Sequence, residues 1–277
     1  MKTDFEDEMK ANQHGWDLRT AAHLNSAFYD VAGFKAGKCT LYPPELLGLG
    51  EVKGKSMLHL QCHFGLDTLS WARRGALVTG LDFSASAIDA ARAIAHETGI
   101  SDAVFVQANV YDALQQPTLQ ARFPTGADIV FTSYGTIGWL PDLNRWAQVV
   151  AHFLKPGGIF FMADFHPVFW MFDNDLEKLV YPYFNTELIH EVIQGTYADR
   201  QAALQLDEYS WNHPISEILQ ALLAAGLQLD QFTEHPYSPA PCFTSFEQAA
   251  DGFWYHPAWN KRIPVMYTIR AIKPLSS

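Results

Sequence analysis

The sequence predicts an α/β fold: a seven-stranded, mostly parallel sheet with helices on both faces, a final antiparallel strand and a lid insertion. Three observations carry this. Between Lys55 and Asp164, short apolar runs alternate with amphipathic stretches, the rhythm of strand and helix. After Asp164 that rhythm breaks for roughly forty-odd residues, longer than an ordinary connection, and then resumes. Near the C-terminus Val265, Tyr267, Ile269 and Ala271 alternate with other residues, as in a half-exposed antiparallel strand.

In chain order, residues 12–50 read as helical and then loop-like, broken at Pro43-Pro44. Met57 to Leu60 is a first strand, and Leu66 to Arg74 a helix. Ala76 to Leu81 is a second strand. Ser84 can cap the next helix, where Ile88, Ala91 and Ala95 share a face and Gly99 is the stop. Val104 to Val106 and Ile129 to Phe131 are the third and fourth strands. Leu143, Trp146, Ala147, Val150 and Leu154 fall at helical spacing. Lys155-Pro156-Gly157-Gly158 then turns into a fifth strand, Ile159 to Ala163. Leu188 to Tyr197 and Ala203 to Trp211 can pair as a hairpin. A helix on Ile215, Ile218, Leu219, Leu222 and Leu223 stops at Gly226, before a strand from Leu227 to Phe232. The expected organisation is a helical cap (1–50), a core (51–165 and 213–277) and an inserted lid (166–212).

Composition excludes several classes. With 48% hydrophobic and 18% charged residues the chain is globular rather than disordered. Its net charge of -11 argues against nucleic acid and anionic membranes, which need a basic footprint. Three cysteines without a CxxC pair fit a reducing compartment. The N-terminus has no apolar signal core, and no run reaches the ~18 apolar residues of a membrane span. The expectation is a soluble cytoplasmic protein, monomer or homodimer.

The informative stretch is Leu58-His59-Leu60-Gln61-Cys62-His63-Phe64-Gly65-Leu66-Asp67, between first strand and first helix. In a parallel sheet, ligands sit at the carboxyl ends of strands, beside helix N-termini. Gly65 allows backbone and ligand to touch. About twenty residues on, Asp82 ends the second strand, where a carboxylate can accept both hydroxyls of a ribose. The competing structural reading is a tight turn, with Asp82 capping the helix at Ser84.

This loop, Asp82, Leu154-Lys155-Pro156-Gly157-Gly158 and the last antiparallel strand together resemble the class I S-adenosylmethionine-dependent methyltransferases, a Rossmann-like fold. The resemblance covers roughly residues 50–165 and 213–273. It implies S-adenosylmethionine as cofactor and methyl transfer to a small-molecule acceptor. The common family loop has an acidic residue and then three alternating glycines. Set on Gln61, His63, Gly65 and Asp67, that pattern keeps only the middle glycine. The resemblance implies that Gln61, His63 and Gly65 line the methionine and ribose portion, that Asp82 holds the ribose, and that Phe83 packs on the adenine. Asn109 and Val110 would meet the adenine edge, and Thr132, Ser133 and Tyr134 would sit near the methionine end and acceptor. Asn109 reads equally as a helix cap, and Tyr134-Gly135 as a plain turn.

Methyl transfer from a sulfonium needs a base only if the acceptor must lose a proton. The candidates are Asp164, His166 and His213, each with a capping or structural alternative. The remaining histidines are scattered and no metal site is expected. Aromatic clusters around Phe165 to Phe172 and Phe253 to Trp259 fit either an acceptor pocket or anchors for the lid. A helix carrying Trp16, His23 and Tyr29 can close over the cofactor. Cys62 reads as a buried thiol rather than a redox group. Two rival readings are a non-catalytic protein binding S-adenosylmethionine or S-adenosylhomocysteine, and a nicotinamide-dependent dehydrogenase. The latter lacks two glycines of G-x-G-x-x-G.

Overall fold

A computed structural model of the chain describes residues 5–173, 175–184 and 187–275. Residues 1–4, 174, 185–186 and 276–277, which fall within the expected cap, insert and C-terminal core, lie outside the described residues. The chain opens with α1 (Glu6–Leu24), α2 (Val31–Lys35) and α3 (Pro43–Leu49). Pro43-Pro44 does not break a helix here. It opens α3, where the missing amide hydrogens have no intrahelical partner to lose.

The core follows as β1 (Ser56–Leu60), α4 (Leu66–Arg73), β2 (Leu77–Asp82), α5 (Ala85–Glu97) and β3 (Val104–Gln107). Then come α6 (Pro117–Arg122), β4 (Ala127–Ser133), α7 (Leu143–Phe153) and β5 (Leu154–Phe165). A hairpin of β6 (Ile189–Gln194) and β7 (Gln205–Ser210) precedes α8 (Ile215–Ala224) and β8 (Gln228–His235). The short strands β9 (Glu247–Gln248) and β10 (Trp254–Tyr255) lie before the last strand, β11 (Met266–Ile272).

Seven strands form one sheet in the order β3-β2-β1-β4-β5-β11-β8. Contacts from β3 through β5 are parallel, and β11 runs antiparallel to both β5 and β8. Consecutive residues such as Met57 and Leu58, or Phe160 and Phe161, belong to different core clusters and are both buried. A strand buried on both faces therefore reads as a continuous apolar run. One layer packs Trp146, Val150 and Phe153 of α7 with Ile218 and Leu222 of α8. The other packs Leu69 of α4 with Ile88, Ala91 and Ile94 of α5.

The order of strands reverses at β1 and β4, the switch point where a parallel sheet leaves a crevice. Above that crevice, among the described residues, the β6–β7 hairpin forms a two-stranded sheet of its own. Helix α1 ties it down: Asn12 donates to the Tyr209 carbonyl at 2.7 Å and accepts from its amide at 3.0 Å. Arg19 forms an ion pair with Glu208. The same stretch of α1 also holds the core, because Asp17 accepts from Ser84 Oγ at 2.7 Å and from the Ser86 amide at 3.1 Å. The two aromatic runs meet in space, with Phe169 4.3 Å from Phe243 and 6.0 Å from Trp259 between ring centroids. No helix among the described residues is long and apolar enough to cross a membrane.

Candidate active site

A cavity of about 1090 Å³ lies at the carboxyl ends of β1, β2 and β4, roofed by α1 and the β6–β7 hairpin. Single small-molecule sites run from roughly 300 to 1,000 Å³, so this one has room for a cofactor and a second molecule.

Its floor is the loop after β1. Gln61, His63 and Gly65 have φ of +56°, +49° and +73°. That alternation is the left-handed geometry that favours glycine. It corrects the register of the loop: the three glycine-type positions are 61, 63 and 65, so the acid of the common pattern corresponds to His59, and Asp67 belongs to α4. Two of the three positions carry side chains, and each is accommodated. Gln61 Nε2 donates to the Thr136 carbonyl at 2.8 Å, leaving its buried Oε1 without a partner. His63 turns toward the roof, its Nε2 3.0 Å from His23 Nδ1 and its ring 5.1 Å from Trp16. Burial holds both of these imidazoles neutral, His23 at about 3 and His63 well below its ordinary value.

Asp82, at the end of β2, lines the cavity. Its Oδ2 accepts from the His63 amide at 2.8 Å and its Oδ1 from the Ser84 amide at 2.9 Å. A carboxylate has about four acceptor positions, so half remain for a ligand. Burial raises its pKa to about 6, against the lowering effect of the two amides. The capping alternative is thus realised together with an exposed acceptor face. The Phe83 carbonyl takes hydrogen bonds from Gln13 and Gln107, and Phe83 lines the cavity with Asn109 and Val110. Asn109 Oδ1 also caps the following turn through the Tyr111 amide at 3.0 Å.

A methyltransferase-domain family profile matches residues 58–160. A ubiquinone biosynthesis O-methyltransferase from Coxiella burnetii is 28% identical over 68% of this chain and 70% of its own length. An S-adenosylmethionine-dependent methyltransferase from Listeria monocytogenes superposes with a TM-score of 0.57 at 21% identity, covering 87% of this chain and 99% of that one. Residues 58–160 thus match a methyltransferase domain, and the chain has the fold of the S-adenosylmethionine-dependent methyltransferases. A further neighbour, the [4+2]-cyclase SpnF, superposes at 0.59 with 18% identity, over 97% of each chain. The fold is shared across different chemistries, and the reaction is argued from the site.

Not every expected residue reaches the cavity. Ser133 and Tyr134 line it, but Thr132 lies fully buried in β4 and does not. Of the three expected bases, His166 is a correction. It lies outside the cavity, where its Nδ1 accepts from the Val168 amide at 3.2 Å and its Nε2 meets Glu234 at 2.9 Å. Asp164 lines the cavity, yet its oxygens accept from the amides of Gly135, Thr136 and Phe165. It caps the turn after β4. His213 has the Leu140 carbonyl at 2.7 Å from Nε2 and Glu217 at 3.1 Å from Nδ1. Both ring nitrogens are therefore engaged. Among the described residues no cluster of three or more His, Cys, Asp or Glu could hold a metal ion. Cys62 is buried, and burial pushes its thiol up.

Two residues of the floor escaped the sequence reading. His59 is buried, its Nδ1 2.7 Å from Thr68 Oγ1 and its Nε2 3.4 Å from Ser133 Oγ. Asp67 faces the cavity beside it. The signal that could have found them is the loop register, since an acid two residues before the first glycine position falls on the strand, at His59.

Proposed function

We propose that this methyltransferase binds S-adenosylmethionine on the 61–65 loop and methylates a small acceptor carrying an apolar ring or chain. The observation that supports it best is the continuity of one cavity. One end is the loop with Asp82, Phe83, Asn109 and Val110; the other is walled by Phe165, Trp170, Phe172, Phe243 and Phe253. The first end fits an adenosyl group. Asp82 keeps acceptor positions for two vicinal hydroxyls, Phe83 offers a ring, and the orphaned Gln61 Oε1 awaits a donor. S-adenosylmethionine, when bound, supplies a methyl group already activated by the sulfonium.

The protein's part is alignment and exclusion of water. Trp16 from α1 packs 5.3 Å from Trp139 and 5.1 Å from His63, with Arg19 5.2 Å above the Trp16 ring. These contacts close the roof over the loop. Holding two reactants in line can lower a barrier by several kcal/mol without an acid or base. The engagement of Asp164 and His213 with partners supports a mechanism that rests on alignment rather than on either as a base. The Coxiella relative carries the name of an O-methyltransferase of ubiquinone biosynthesis, and the aromatic end here fits an apolar acceptor.

The test is transfer of labelled methyl from S-adenosylmethionine to a pool of cell metabolites fractionated by polarity. Label should enter an apolar fraction with the unmodified protein and not with Asp82→Ala. Binding of the cofactor with no transfer to any fraction would leave a non-catalytic binding protein.

A further inference from the structure

The floor of the cavity contains a carboxylate that the proposed adenosyl contacts do not use. Asp67 sits in the first turn of α4, where its Oδ1 accepts from Thr40 Oγ1 at 2.6 Å and its Oδ2 from Ser133 Oγ at 3.2 Å. Burial raises its pKa, the two hydroxyls lower it, and no cation contributes. Among the described residues it has no ion-pair partner within 4.0 Å, although it lines the cavity. A desolvated carboxylate held by two neutral donors is costly unless a positive group joins it.

The residue next to it makes the arrangement specific. The left-handed turns at 61, 63 and 65 place His59 where the common loop has its acid. His59 cannot serve there, because burial holds it neutral, at about 3, between Thr68 and Ser133. Ser133 Oγ is shared by the two side chains: His59 Nε2 lies 3.4 Å from it and Asp67 Oδ2 3.2 Å. The negative charge absent from position 59 is therefore present at the start of α4, reached through the same serine. Gln61 Oε1, buried and without a donor, is a second acceptor on the same wall.

We propose that Asp67 receives the α-ammonium group of the cofactor's methionine portion, with Gln61 Oε1 as a neutral second acceptor and His59–Ser133 fixing the carboxylate. This rests on the cofactor reading above and deepens it. An ammonium has three donors and suits a carboxylate plus an amide oxygen. No proton transfer is involved, so Asp67 is a binding residue and takes no part in bond making.

The test is calorimetric binding of S-adenosylhomocysteine and of its deaminated form, with hydrogen in place of the amino group. A charge-assisted hydrogen bond is equivalent to about tenfold to a hundredfold in affinity. Asp67→Asn should weaken S-adenosylhomocysteine by that factor and leave the deaminated ligand unchanged or tighter. In the unmodified protein the deaminated ligand should bind at least tenfold more weakly, a comparison that stands even if Asp67→Asn fails to fold. Equal binding of the two ligands to the unmodified protein, or an equal loss of both in Asp67→Asn, would overturn the assignment. Failure of the unmodified protein to bind either ligand would instead remove the cofactor reading on which it rests.

Discussion

Gly65 closes the left-handed loop, and replacing it with alanine separates backbone strain from packing. At φ +73° an alanine carries left-handed strain of about 1–2 kcal/mol. Its Cβ would also lie 2.5 Å from Phe105 Cε1, 2.8 Å from Phe105 Cζ and 3.3 Å from Ala91 Cβ. Phe105 cannot swing away freely, since its ring already fills the space over Gly80, where an added Cβ would meet it at 2.8 Å. Overpacking of this kind costs about 1–3 kcal/mol, for a total of roughly 2–5 kcal/mol. Gly99 is the control: its φ is +69°, and an added Cβ meets nothing within 4 Å. Gly99→Ala should lose only the strain, about 1–2 kcal/mol. Urea unfolding followed by tryptophan fluorescence gives both values. An equal loss in the two variants, or no loss at Gly65, would refute the packing reasoning around the loop.

Two pH dependences follow from burial. Asp82, with its pKa raised to about 6, must be ionised to accept from two hydroxyls while it holds the His63 and Ser84 amides. The affinity for S-adenosylhomocysteine should therefore be level above pH 6 and fall by up to about tenfold per pH unit below it, whereas Asp82→Asn should bind weakly with no such break in a calorimetric pH series. The histidines of the roof act on stability. His23 is held at about 3 by burial and then by the Arg19 guanidinium, so between pH 6.5 and 3 the unfolded chain binds more protons than the folded one. The stability it contributes is full above about 6.5 and lost progressively below. The protection of α1 amides, taken relative to the intrinsic exchange rate at each pH, should fall on acidification, and His23→Phe should blunt that response; an unchanged response would remove His23 as its source.

Much of the fold was legible because strands buried on both faces leave continuous apolar runs, as at Met57 to Leu60, and because α7 and α8 carry one-sided stripes. Pro43-Pro44 was misread because proline ends one helix and begins another with the same letters, and only the chain beyond it decides. The loop register was shifted by two residues for a related reason. Gln61 and His63 hold glycine geometry without being glycine, supported by Thr136 and His23 from distant parts of the chain. With glycine absent, nothing local marks a left-handed residue. Asp82 was legible from its distance to the loop. Asp67 was not, since its role depends on Thr40 and Ser133, neither of them near it in sequence. His166 sits two residues beyond Asp164, but β5 ends between them and the chain carries its ring toward Glu234 instead of the cavity.

Isothermal titration of the unmodified protein with S-adenosylmethionine and with NAD decides whether the left-handed loop and the Asp82 carboxylate receive the sulfonium cofactor. Heat of binding is expected with S-adenosylmethionine, none with NAD, and none with either ligand after Asp82→Ala. Binding of NAD in the absence of S-adenosylmethionine binding, or undiminished S-adenosylmethionine binding by Asp82→Ala, would contradict it.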